Sequence, residues 1–192
     1  MKTKKGTFGY LARERKKYIL ITVLLFAAVF VIFFTARILL GTNQNVFSII
    51  AALLCLPAAR MAVNLVMLTK AKGCSRSAHG KIEKVEDPAS CLYDLYLTTY
   101  DKNFDLSHLC VFGTSVIALT EREGVSDKDL HAAEDHIRRS MQKSGFHGYG
   151  VKVFPKVDPY LRRMEDLYAH GEEEKAGEEK TGILHLLLQL AL

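Results

Sequence analysis

The chain has 192 residues, 49% apolar and 24% charged, with four Cys, no Trp and a formal charge of +5. That length admits one modest folded unit plus anchors, at roughly 100–200 residues per domain. Much of the apolar content falls in two blocks within residues 18–68, which excludes a simple soluble domain, a collagenous or disordered chain, and a small disulfide scaffold.

Residues 1–17 form a basic tail with Lys2, Lys4, Lys5, Arg13, Arg15, Lys16 and Lys17. The first block, Tyr18 to Leu40, is 23 residues long with Arg37 as its one charge. As a helix it reaches about 34 Å, enough for a hydrocarbon core of about 30 Å. A cleavable signal is the rival reading, but its apolar run would be about 7–15 residues and end in a small-residue cleavage site. Here Arg37 and three aliphatic residues stand where that site would fall. The second block, Val46 to Leu68, follows a five-residue polar turn, GTNQN. Together the blocks predict a two-helix transmembrane hairpin.

Lys and Arg set its orientation. The turn has neither, whereas Lys70, Lys72, Arg76, Lys81 and Lys84 follow the second block. The positive-inside rule then places both termini in the cytoplasm, and a plasma membrane of bacterial type fits. Within the second block Pro57 loosens the helix, and Ala58, Ala59 and Ala62 permit close approach of another helix. Pro57, Arg60 and Asn64 are therefore the candidate intramembrane contact, although a snorkelling Arg60 explains the same pattern.

Charge divides the chain. Residues 1–85 hold 14 Lys/Arg against two Glu, a net of +12; residues 86–192 hold 12 against 19 Asp/Glu, a net of −7. The basic half is expected to meet anionic lipid of the inner leaflet. The acidic half would be repelled by a phosphate backbone, so no nucleic-acid partner is expected.

Residues 69–88 read as a polar connector with a short helix or strand near Lys81–Val85, and a small α+β domain is predicted over residues 89–171. LYDLYLTTY from Leu92 alternates with period two and places Tyr93, Leu95, Leu97 and Thr99 on one face. After a turn at residues 101–103, strands follow over residues 106–112 and 115–120, an antiparallel meander. Ser126 is an N-cap with Asp129 at the capping-box position, and Leu130, Ala133, Ile137 and Met141 form the inward stripe up to Gly145. A strand over residues 149–154 and a helix from Asp158 to Gly171 complete the order β-β-β-α-β-α, with a mainly antiparallel sheet. Residues 172–182 read as an acidic linker. Residues 183–192, ILHLLLQLAL, are too short to span a bilayer. Ile183, Leu184, Leu187, Leu188 and Leu190 are expected to dock this tail on the small domain or in a partner's groove.

Few spacings in the chain point to chemistry. Cys55, Cys74, Cys91 and Cys110 show no C-x-x-C or zinc spacing and are expected as reduced thiols, with Cys74 near enough to the membrane for acylation. The seven His include no H-E-x-x-H, and His131 and His136, five apart, lie about 140° around a helix. The glycine-rich stretch at residues 145–150 leads into a strand rather than a phosphate-binding helix N-terminus. No cofactor is expected.

With a helix ahead of Leu92, the order helix, three strands, helix, strand resembles the core of the restriction-endonuclease-like family. That family gathers a divalent metal between an Asp on the second strand and a Glu-x-Lys on the third for phosphodiester hydrolysis, so the resemblance implies Asp105 and Glu121 as catalytic carboxylates. The chain departs from the pattern at Glu123, where the family has Lys. The reading of the residues themselves favours an anchored domain that binds or regulates a protein partner, or a second copy of itself, without catalysis. A small subunit of a larger membrane complex is a further reading.

Overall fold

The computed structural model describes residues 4–41, 46–99, 102–169 and 177–191, and the chain divides into two compact units. One is residues 11–71, and the other combines the residues up to Tyr10 with those from Lys72 onward. Residues 42–45 of the turn between the two apolar blocks, and His170, lie outside the described residues.

The first unit consists of α1 (Tyr10–Leu40) and α2 (Val46–Lys70). Their 31 and 25 residues give lengths of about 46 and 38 Å. α1 starts eight residues before the apolar block, so Arg13, Glu14, Arg15, Lys16 and Lys17 form its first turns rather than a loose tail. α2 passes through Pro57 without a break. Arg15 donates from Nε to the Leu68 carbonyl at 3.2 Å and from Nη2 to the Ala71 carbonyl at 2.6 Å. A cation on these carbonyls complements the negative end of α2 and brings the start of one helix beside the end of the other. All 18 exposed large apolar side chains among the described residues lie between Ile19 and Val66.

The second unit contains α3 (Arg76–Ile82), β1 (Cys91–Thr98), β2 (Asn103–Phe112), β3 (Ser115–Leu119), α4 (Asp127–Lys143), β4 (Gly150–Phe154), α5 (Val157–Ala169) and α6 (Gly177–Leu190). The sheet is mixed, in the order β1-β2-β3-β4. The first three strands form an antiparallel meander, and β4 returns parallel to β3 after α4. With α1 and α2 this makes six helices among the described residues. The Ser126 cap stands as read: the Asp129 backbone N–H donates to Ser126 Oγ at 3.2 Å, and the hydroxyl donates back to Asp129 Oδ2 at 2.9 Å.

Two cores flank the sheet. On one face Leu92, Leu95, Leu97, Leu109 and Val111 pack with Ala133, Ile137 and Met141 of α4 and Ile183 and Leu187 of α6. On the other, Cys91, Tyr93, Cys110, Ile117 and Leu119 meet Ala78 and Ile82 of α3 and Tyr160, Met164 and Leu167 of α5. Tyr93 and Leu95 thus lie on opposite faces, which corrects the single face read from the alternation. The cause is Asp94, whose φ of 54° is left-handed and interrupts the two-residue period while the β1–β2 register runs on.

The outer edge of β1 is covered by the chain's own ends. The Tyr93 N–H donates to the Gly6 carbonyl at 2.9 Å, Leu97 bridges Ala191, and Lys5 Nζ donates to the Ala191 carbonyl at 2.6 Å. Phe8 stacks on His79 with ring centroids 3.8 Å apart. The segment read as a basic tail is therefore part of the folded unit, and it blunts an otherwise exposed sheet edge. The stretch read as an acidic linker is helical from Gly177.

Candidate functional site

The two carboxylates singled out from the sequence do come close to the same segment, but as acceptors for the chain's own backbone. Asp105 on β2 accepts the Lys72 N–H through Oδ2 at 2.7 Å. Glu121, just past β3, accepts the Ser75 N–H at 2.9 Å and the Ser75 hydroxyl at 2.6 Å. A third carboxylate, Asp94, accepts the Cys74 N–H at 2.7 Å. Three acids from three places in the sheet thus hold residues 72–75, and Ser75 goes on to cap α3 by accepting the Ala78 N–H. Sequence reading missed Asp94, because its role depends on its left-handed backbone and on contacts 20 residues away.

Electrostatics at this clamp run against easy ionisation. Burial pushes the Asp105 carboxyl above its ordinary value, against the Lys72 and Gly73 N–H groups that favour the charge. Burial, with Glu121 and Asp94 adding negative charge, pushes the Cys74 thiol up to about 12. A thiol so held is a poor nucleophile.

Of the intramembrane candidates, Pro57 and Arg60 are exposed on α2 and Asn64 is half-buried. In the tail, Ile183 and Leu187 are fully buried in the unit's own core, while Leu184, Leu188 and Leu190 pack partly against it. Of the two destinations expected for the tail, its own domain is the one the structure contains.

A second polar cluster lies in the core between the sheet and α3/α5. His108 is completely buried; its Nδ1 is 2.6 Å from the Tyr160 hydroxyl and its Nε2 2.9 Å from Glu86 Oε2. Burial lowers the His108 pKa below its ordinary value, against the Glu86 carboxylate that favours the charged ring. Burial also opposes ionisation of Glu86, but the hydrogen bond from His108 and the Tyr93 hydroxyl beside it prevail, and its carboxyl lies below the usual value. In the neutral ring with Glu86 ionised, the carboxylate accepts from Nε2–H and Nδ1 accepts from the Tyr160 hydroxyl. Burial first, and Glu86 second, raise the Tyr93 and Tyr160 phenols.

Cys91 stands opposite Cys110 in the β1–β2 register, with Cα atoms 4.2 Å apart, and the two are joined as a disulfide. This corrects the expectation of unrelated reduced thiols. The 19-residue gap is simply the length of the hairpin that pairs them. The sequence signal for the cluster is the alternation His108-x-Cys110, which puts both side chains on one face of a strand.

Comparison of the chain with protein-family models, with curated proteins and with solved structures returned no match.

Proposed function

We propose that the chain is a two-pass membrane protein whose α1–α2 hairpin anchors a small acidic α+β unit on the cytoplasmic side of a plasma membrane, where the unit binds or regulates a protein partner without catalysis. The observation that carries the reading is that, among the described residues, every exposed large apolar side chain lies on α1 or α2, an outward surface suited to lipid and a liability in water. Residues on both sides of the hairpin belong to one folded unit, so both ends of the anchor lie on one side of the bilayer. The flanking Lys and Arg favour the inner side and its anionic lipids.

The partner surface we favour is the β4 edge. β1 is covered by the chain's own ends, whereas β4 pairs only with β3 among the described residues and presents Lys152 outward. Glu134 of α4 already accepts the Val153 N–H of that edge at 2.9 Å and pairs with Lys152, so a partner strand would add to the edge backbone beside this contact. Photo-crosslinking in native membranes tests this. A reactive residue at Lys152 is expected to give one discrete protein adduct, and one at the exposed Arg162 of α5 none. Equal or absent adducts at both sites contradict the β4 surface.

One observation favours a nuclease-like second reading: α3 precedes β1, and the parallel return of β4 after α4 completes the element order of that resemblance. The engagement of Asp105 and Glu121 by residues 72–75 weighs against it. Magnesium-dependent DNA cleavage by the purified chain, abolished in Asp105→Asn, would establish it over the binding role.

A further inference from the structure

From the buried cluster beneath β1 and β2 we infer a zinc site built from Glu86, Cys91 and His108, with Cys110 as the fourth donor once the Cys91–Cys110 bond is open. Glu86, Cys91 and His108 each offer one ligand atom, and these atoms all lie within 4.8 Å of one another. Tetrahedral zinc with bonds of about 2.0–2.3 Å needs donors roughly 3.3–3.8 Å apart, so the three need move little to close on one ion. Cys110 Sγ is already beside Cys91 Sγ. The set is two thiolates, one imidazole and one carboxylate, a composition zinc accepts.

Two further observations point the same way. The Glu86 side chain is only 5% exposed, and among the described residues its ion-pair contact is with His108 and with no Lys or Arg. A buried carboxylate with no Lys or Arg against it among the described residues lacks the full positive charge that a divalent ion would supply. His108 is also held as metal-bound histidines are. Its Nε2 is 2.9 Å from Glu86 Oε2, while Nδ1 is fixed by Tyr160, which is itself wholly buried. With metal on Nε2 the tautomer reverses, and Nδ1–H donates to the Tyr160 oxygen, orienting the ring.

The disulfide and the metal exclude each other. Opening the bond consumes two electrons and two protons, supplied by two molecules of a small cellular thiol that leave joined as their own disulfide. The two cysteine thiols then lose two protons to solvent as zinc takes them up as thiolates. Disulfide in an oxidising setting and zinc in a reducing one are thus two closures of the same pair of strands, and the cytoplasmic placement proposed above favours the second.

Cobalt(II) followed by zinc(II), added to the full chain in detergent micelles, tests the inference. The reduced chain is expected to bind one equivalent of cobalt, with the visible bands of a tetrahedral ion and the near-ultraviolet band of thiolate-to-cobalt charge transfer, both erased by zinc. The disulfide form is expected to show neither band. Cys91→Ser and His108→Gln are expected to weaken binding by more than tenfold and Tyr160→Phe by about tenfold, while Cys74→Ser leaves it unchanged. No tetrahedral spectrum from the reduced chain, equal uptake by reduced and oxidised chains, or loss of binding in Cys74→Ser overturns the site. If a variant fails to fold, the reduced and oxidised wild-type pair decides alone.

Discussion

Leu187→Ala is expected to destabilise the α+β unit by about 2–5 kcal/mol, the range for emptying a fully buried leucine site. Leu187 is 0% exposed and lies with Ile183 in the core formed by the sheet and α4. The cavity would open beneath Leu95 and Leu97 of β1, where α6 meets the sheet, with little freedom to collapse. Gln189, two residues on, is exposed, so Gln189→Ala should stay within about 0.5 kcal/mol. Urea unfolding of the full chain in detergent, followed by tyrosine near-ultraviolet circular dichroism, compares the two. Equal midpoints would mean that the tail adheres without belonging to the core.

Gly73→Val is expected to cost about 3 kcal/mol, combining left-handed strain with loss of a buried hydrogen bond. Gly73 has φ of 69°, and a Cβ there would meet Asp94 Oδ1 at 2.9 Å and Cγ at 3.3 Å. Asp94 cannot swing away without releasing the Cys74 N–H. Gly124 separates the two effects: its φ is 70°, but nothing lies within 4 Å of an added Cβ. Gly124→Val therefore carries the backbone strain alone, about 1–2 kcal/mol. Hydrogen exchange at the Lys72, Cys74 and Ser75 amides is expected to accelerate in Gly73→Val and not in Gly124→Val. Equal acceleration in both variants would contradict the clamp.

Where local pattern decides structure, the sequence was informative. The apolar runs of α1 and α2, the Ser126 cap with its stripe of Ala133, Ile137 and Met141, and the β-β-β-α-β-α order all follow from spacing within a few residues. The failures share a cause, dependence on partners far along the chain. Lys4 to Phe8 carry no periodicity, yet Gly6 and Phe8 reach Tyr93 and His79. Asp105 and Glu121 were picked out as a carboxylate pair, but their hydrogen bonds to residues 33 and 46 positions away are invisible to spacing. The face reading of β1 failed at one residue, Asp94, because alternation assumes every backbone angle is extended. Glu86, Cys91 and His108 became a cluster only once the strand register was known.

A two-pass anchor with the folded unit on the inner side is tested most directly by impermeant thiol labelling of intact cells. In a chain with its native cysteines replaced by Ser, a cysteine at Asn43, between the helices, is expected to react with a bulky membrane-impermeant maleimide. One at Ser126, the cap of α4, is expected to react only after the cells are opened. Labelling of Ser126→Cys but not Asn43→Cys in intact cells would invert the arrangement, and release of the chain from membranes by alkaline carbonate would remove the anchor altogether.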